Sequence, residues 1–118
     1  METIIGQLFE ARDIAHIFHL RTRSFAQHLA LNDLYDALLE SADAVAEQWQ
    51  GKYGVMNIKR TTGTFSEVGE ASSFVKELAG WAEKIKGELN PTDSAISNEW
   101  DNVLTAIYKA KYKLENLA

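Results

Sequence analysis

The sequence predicts an all-α protein, a four-helix bundle whose second and third helices are joined by one long connection. Three observations carry that prediction. Apolar residues recur every three to four positions through four separate stretches, the period of a helix with one buried face. The only proline, Pro91, stands between the third and fourth stretches. Residues 51–65, GKYGVMNIKRTTGTF, hold three glycines and no sustained period, so they read as the connection.

Each element follows from its own residues. The first helix spans about residues 3–21, with Ile4, Ile5, Leu8, Ala11, Ala15 and Phe18 on one side. RTRS breaks that pattern, and Ser24-Phe25-Ala26-Gln27 has the form of a capping box. The second helix then covers about 25–50 through Leu31, Leu34, Leu38, Val45 and Trp49, with Gly51 as a left-handed stop. The connection is long enough to run the length of a bundle, and the other two turns are short. That contrast predicts a crossover bundle rather than an up-and-down one. Thr64-Phe65-Ser66-Glu67 reads as a second capping box, with Ser66 as the other candidate cap, ahead of a third helix over about 67–89. Its stripe is Val68, Ala71, Phe74, Val75, Leu78, Trp81 and Ile85. Asn90-Pro91 makes the turn, Asn90 as cap and Pro91 at the first helical position. The fourth helix, about 91–117, carries Ile96, Trp100, Val103, Ile107, Ala110, Leu114 and Leu117. Trp49, Trp81 and Trp100 read as core anchors.

Composition narrows the function. With 118 residues and 46% hydrophobic content, the chain suits one domain over 1–118. Cysteine is absent, which excludes disulfides, zinc–thiolate clusters and thiol catalysis. No apolar stretch approaches the ~18 residues that span a bilayer. METIIGQLFEARD carries acids in its first turns, unlike a signal peptide, so a soluble cytoplasmic protein is expected. The net charge of −5 argues against nucleic-acid binding. Lys52, Lys59 and Arg60, and then Lys109, Lys111 and Lys113, are local exceptions, the second group complementing a helix C-terminus. No Ser–His–acid motif and no phosphate-binding glycine loop is present.

One constellation stands out. His16, His28, Asn32, Asp43 and Glu47 follow one another at steps of 12, 4, 11 and 4 residues. Four of the five are good ligands for iron or zinc. On one helix at about 100° per residue, His28, Asn32, Asp43 and Glu47 fall near 0, 40, 60 and 100°, so they share a face. Such a stripe is costly to bury without a partner, and its bland reading is a solvated polar strip. Asp43 and Glu47 project together as a carboxylate pair can for a divalent cation. His16 and His28 are expected to face each other across the first turn, and His19 to be a boundary residue. His28 and Glu47 lie 19 residues apart, about 28 Å along one axis, so they cannot share an ion within one chain. A twofold antiparallel dimer through the first two helices would bring the imidazoles of one copy to the acids of the other.

The segment from His16 through Phe25, His28, Asn32, Leu34-Tyr35 and Asp43 to Ala46-Glu47 resembles the ferroxidase segment of the Dps-type mini-ferritins. The likeness covers about residues 13–50. It implies a ferritin-like bundle with iron centres shared across a twofold axis. His16 with Asp43 and Glu47 of the partner would make one site; His28 and Asn32, with Glu47 bridging, would make the second. The implied reaction is Fe(II) oxidation by peroxide or dioxygen, with storage inside a dodecamer; zinc and manganese suit the same donors. Asn32 stands where the family has Asp, and Asp36 lies on the same stripe as a substitute donor. The competing reading is a non-catalytic helical assembly or adaptor protein that has lost the metal chemistry.

Overall fold

The computed structural model describes residues 1–117; Ala118, the last residue of the expected 1–118 domain, lies outside them. It contains four helices, α1 (Glu2–Arg21), α2 (Phe25–Tyr53), α3 (Ala71–Glu88) and α4 (Ser94–Asn116). No strand is present among the described residues. None of these helices is long and apolar enough to cross a membrane.

The buried faces are those the periodicity marks. Ile5, Leu8, Ala11, Ala15 and Phe18 of α1 meet Leu31, Leu34, Leu38 and Val45 of α2 in one core with Phe74, Val75 and Leu78 of α3 and Trp100, Val103 and Ile107 of α4. The contacts around the ring run α1 to α2, α2 to α4, and α4 to α3. At about 1.5 Å per residue, the 29 residues of α2 account for the 43 Å long dimension. Trp100 is buried among these side chains, whereas Trp49 and Trp81 are only half-buried.

Residues 54–70 lie along α1. The Asn57 N–H donates to Glu2 at one end, and the Arg21 guanidinium donates to the Glu67 carbonyl at the other. Between them Glu10 accepts from the Thr61 hydroxyl (2.7 Å) and from the Thr64 and Phe65 N–H groups (2.9 and 3.1 Å). Phe65 is thereby driven inward, edge-on to Phe74 and Trp81 at 6.1 and 5.3 Å.

The end of α2 and the starts of α3 and α4 differ from expectation. α2 runs through Gly51 to Tyr53, and Gly54, at φ +100°, makes the stop. The Thr64–Glu67 capping box is not used, because Glu10 accepts from the Thr64 N–H that Glu67 would take. Gly69 at φ +90° then delays α3 to Ala71, and Val68 stands exposed in the connection. Asn90 accepts from the Thr92 N–H and hydroxyl instead of capping a helix. The capping box at the start of α2 forms by half: the Gln27 N–H donates to Ser24 Oγ, while the Gln27 side chain accepts from the Thr22 hydroxyl.

Asp93 precedes α4 and receives both the Lys52 ammonium and the Tyr53 hydroxyl from the end of α2. The hydrogen bond from Lys52, and then that from Tyr53, hold its carboxyl below the usual carboxylate range. A carboxyl depressed on folding contributes stability above its unfolded pKa and loses it as pH falls through the folded value. Thermal melts between neutral pH and pH 3 should therefore show an acid-side loss of stability that is smaller in Asp93→Asn. An unchanged acid limb in that variant would contradict the assignment.

Candidate functional site

The three-residue turn Thr22–Ser24 makes α1 and α2 an antiparallel hairpin, and all three histidines lie along its seam. His19, four residues before Arg23, meets His28, five after it. Their rings stack with centroids 3.6 Å apart. Each Nδ1 donates to the backbone carbonyl of the other residue, at 2.7 Å from His19 and 2.9 Å from His28. Carbonyls only accept, so both Nδ1 atoms carry hydrogen, and a neutral ring so held has its lone pair on Nε2. His28 also satisfies a carbonyl in the last turn of α1, where no helical N–H is available.

The second group lies further along the same seam. The His16 ring stacks on Tyr35 at 4.2 Å and meets His19 edge-on at 5.8 Å. The Arg12 guanidinium sits 5.2 Å from the centre of the Tyr35 ring, within cation–π range. The Tyr35 hydroxyl donates to Asn32 Oδ1 at 2.8 Å, and Asn32 Nδ2 lies 3.5 Å from Asp36 Oδ2.

The five expected ligands therefore divide. His16 joins Tyr35 and, through it, Asn32; His28 pairs with His19 rather than with His16, because the short turn sets that level. His19 is buried, not a boundary residue. Asp36, Asp43 and Glu47 are exposed on α2, so the acidic part of the stripe faces solvent rather than the core. Asp43 lies about 22 Å and Glu47 about 28 Å along α2 from His28, at 1.5 Å per residue. Neither carboxylate has an ion pair among the described residues. Among those residues no three His, Asp or Glu side chains gather where they could hold a metal ion. A groove of ≈580 Å³ between α2 and α4, and one of ≈800 Å³ between α1 and residues 58–68, are lined by none of the five.

Apolar side chains accompany the acids. Phe25 is 74% exposed, and Leu29 and Leu39 are exposed on the same side of α2. Leu20, at the end of α1, is 71% exposed. Sequence reasoning missed His19 and Tyr35 as members of the group. The signal was present: in an antiparallel hairpin, positions equidistant from a tight turn come level, which pairs 19 with 28 and 12 with 35.

These observations define a four-helix protein with an imidazole–tyrosine seam and an exposed carboxylate face on one long helix. The chain belongs to DUF5856, described as a family of unknown function, whose model matches residues 19–114. The matched span takes in the His19–His28 pair and the whole of α2 and leaves His16 outside. Comparison with curated proteins and with solved structures gives no match.

Proposed function

We propose that this protein is a ferritin-like assembly protein that takes up divalent iron at sites completed by a second copy of the chain. One observation carries the reading: Asp43 and Glu47 stand exposed, and without an ion pair among the described residues, on the α2 face that also exposes Phe25, Leu29 and Leu39. At 100° per residue, positions 25, 29, 36, 39, 43 and 47 fall within about 40° of one line, so a single partner surface can cover them all. Apolar groups at that exposure favour association, and a twofold antiparallel copy would set acids beside imidazoles at both ends. The path of residues 54–70 along α1 supports reading them as the crossover connection of a ferritin-like bundle.

The donor set fits such a cation in part. The Nε2 of His28 is left free by its Nδ1–carbonyl bond, and His16 is held by Tyr35. Asp43 and Glu47 of a second copy would supply the negative oxygens that hard divalent cations prefer. Iron is the substrate here: bound beside these groups, Fe(II) would be oxidised by peroxide or dioxygen. The chain's contribution is orientation: a hydrogen bond fixes the second nitrogen of His28, and stacking on Tyr35 sets the His16 ring.

Aerobic Fe(II) titration tests the proposal. The wild-type chain should give a ferric absorbance rise that Glu47→Ala abolishes, and a solution mass of at least two chains. No rise above a protein-free control removes the iron reading. The competing reading, a helical assembly protein without metal chemistry, is favoured by one observation: the Asn32 amide is already satisfied inside the chain. On that reading neither Fe(II) nor Zn(II) raises the melting temperature, since only a ligand that binds the folded state stabilises it.

A further inference from the structure

We infer that a second copy of this chain lays its α4 antiparallel into the groove between α2 and α4, about a twofold axis passing Ala106. Each copy fills the groove of the other. This surface is separate from the α2 face invoked above and needs no metal.

The groove of ≈580 Å³ opens where small side chains meet, Ala37 and Ala44 on α2 and Ala106 on α4. Its walls are charged. Asp33 and Glu40 stand on the α2 side, while the α4 side carries Lys109 and Lys113 at one end and Glu99 at the other. Lys113 reaches Asp33 at 3.4 Å, and Gln48 donates to Glu99 at 3.0 Å. Those two contacts set the register of the walls, with position 113 beside 33 and position 99 beside 48. Lys109 and Glu40 are both exposed and have no ion pair among the described residues. An alanine floor admits another helix at the usual spacing of about 8–10 Å. The α4 wall asks that helix for an acid beside its lysines and a cation beside Glu99.

α4 itself meets that requirement. Glu99 and Asp101 lie in its first half, and Lys109, Lys111 and Lys113 in its second; Glu115, the acid of the second half, is paired with Lys111 at 3.0 Å. Glu99, Ala106 and Lys113 are spaced by seven residues, so they fall within about 20° of one line, and Asn102 and Lys109 border it. Ala106 is midway between the acid and the lysine. Two copies laid antiparallel about it bring Glu99 of each beside Lys113 of the other, and every contact occurs twice. Lys109 of one copy then comes level with residue 103 of the other, which the register above sets beside residue 44 of α2. Glu40 lies one turn from that level, so the two charged groups that lack an ion pair within one chain meet between chains. A parallel arrangement would set lysine against lysine and align the helix dipoles, whereas the antiparallel one opposes them.

The chain has no cysteine, so one introduced thiol reports the contact. In Ala106→Cys the thiols of a twofold pair face each other across the axis, at the close approach a disulfide needs. Oxidation of the full chain with diamide should link Ala106→Cys into a dimer about tenfold or more faster than Gly80→Cys, because association holds the two thiols together. Gly80 is an exposed position on α3 and serves as the control. Adding Lys109→Glu to Ala106→Cys sets like charges together and should slow the linkage by about tenfold. Adding Glu40→Lys to that variant should restore the rate, with circular dichroism checking that each variant is folded. Linkage at position 106 no faster than at position 80 overturns the inference. So does a rate that Lys109→Glu leaves unchanged, or that Glu40→Lys fails to restore. The readout contains no iron, so a failed Fe(II) titration removes the iron reading alone, and a failed linkage removes this one alone.

Discussion

Replacing Trp100 by alanine is expected to destabilise the protein by about 3–5 kcal/mol, the usual cost of emptying a buried indole site. Trp100 is 0% exposed on α4. Its Nε1–H donates to the Ala82 carbonyl of α3 at 2.9 Å, and its ring meets Trp81 edge-on at 5.7 Å. The indole therefore fills the space between two helices and ties them together. For a domain of this size the loss corresponds to a fall in melting temperature of roughly 10–20 °C. Trp100→Phe keeps most of the apolar area and removes the donor, so it should cost about 1–3 kcal/mol. Chemical denaturation followed by circular dichroism checks both values. A Trp100→Ala loss below about 1 kcal/mol would mean that the site collapses without penalty, contrary to the packing described.

The second large effect lies on α1. Gly6 faces residues 54–70 so closely that an added Cβ would stand 2.4 Å from the Lys59 carbonyl oxygen and 2.9 Å from Thr61 Cγ2. Alanine is the better helix former by about 1 kcal/mol, so a free helix would gain from the change. Here the clash opposes that gain, because the contacting oxygen belongs to the backbone and cannot rotate away. Nor can the segment lift without straining the three hydrogen bonds to Glu10. Overpacking of this kind costs typically about 1–3 kcal/mol beyond what the site can absorb. Gly6→Ala should therefore destabilise the fold by about that amount and speed proteolysis within residues 54–70. Gly80 on α3 supplies the control. An added Cβ there meets nothing within 4 Å, so Gly80→Ala should stabilise by about 0.5–1 kcal/mol. Equal effects at the two positions would show that the approach of residues 54–70 to α1 is not close in solution.

Much of the fold was legible before any coordinates. The stripes of α1, α2 and α4 are local patterns of apolar spacing, and Ile5, Leu8, Leu31, Leu38, Val103 and Ile107 are all buried as that spacing requires. The beginning of α3 was not legible. Thr64-Phe65-Ser66-Glu67 has the grammar of a cap, yet a carboxylate from a helix more than fifty residues earlier accepts from the Thr64 N–H that Glu67 would reach back to in a capping box. Leu117 follows the apolar period and is exposed, since α4 ends at Asn116 and the period outlasts the core.

The candidate site divides the same way. Spacing along α2 put Asp36, Asp43 and Glu47 on one side, and they share it, because helical phase is a local property. Which imidazole meets which was settled elsewhere. The three-residue turn sets His19 level with His28, and Tyr35 claims His16. By itself, then, the chain's order of residues determined four helices, their buried stripes and the face that gathers the acids, all consequences of a repeat spanning a few neighbours. Only the tertiary structure decided the path of residues 54–70, the partner of each histidine and the turn of the Asn32 amide. Those depend on atoms brought close by packing between helices, which no short-range pattern encodes.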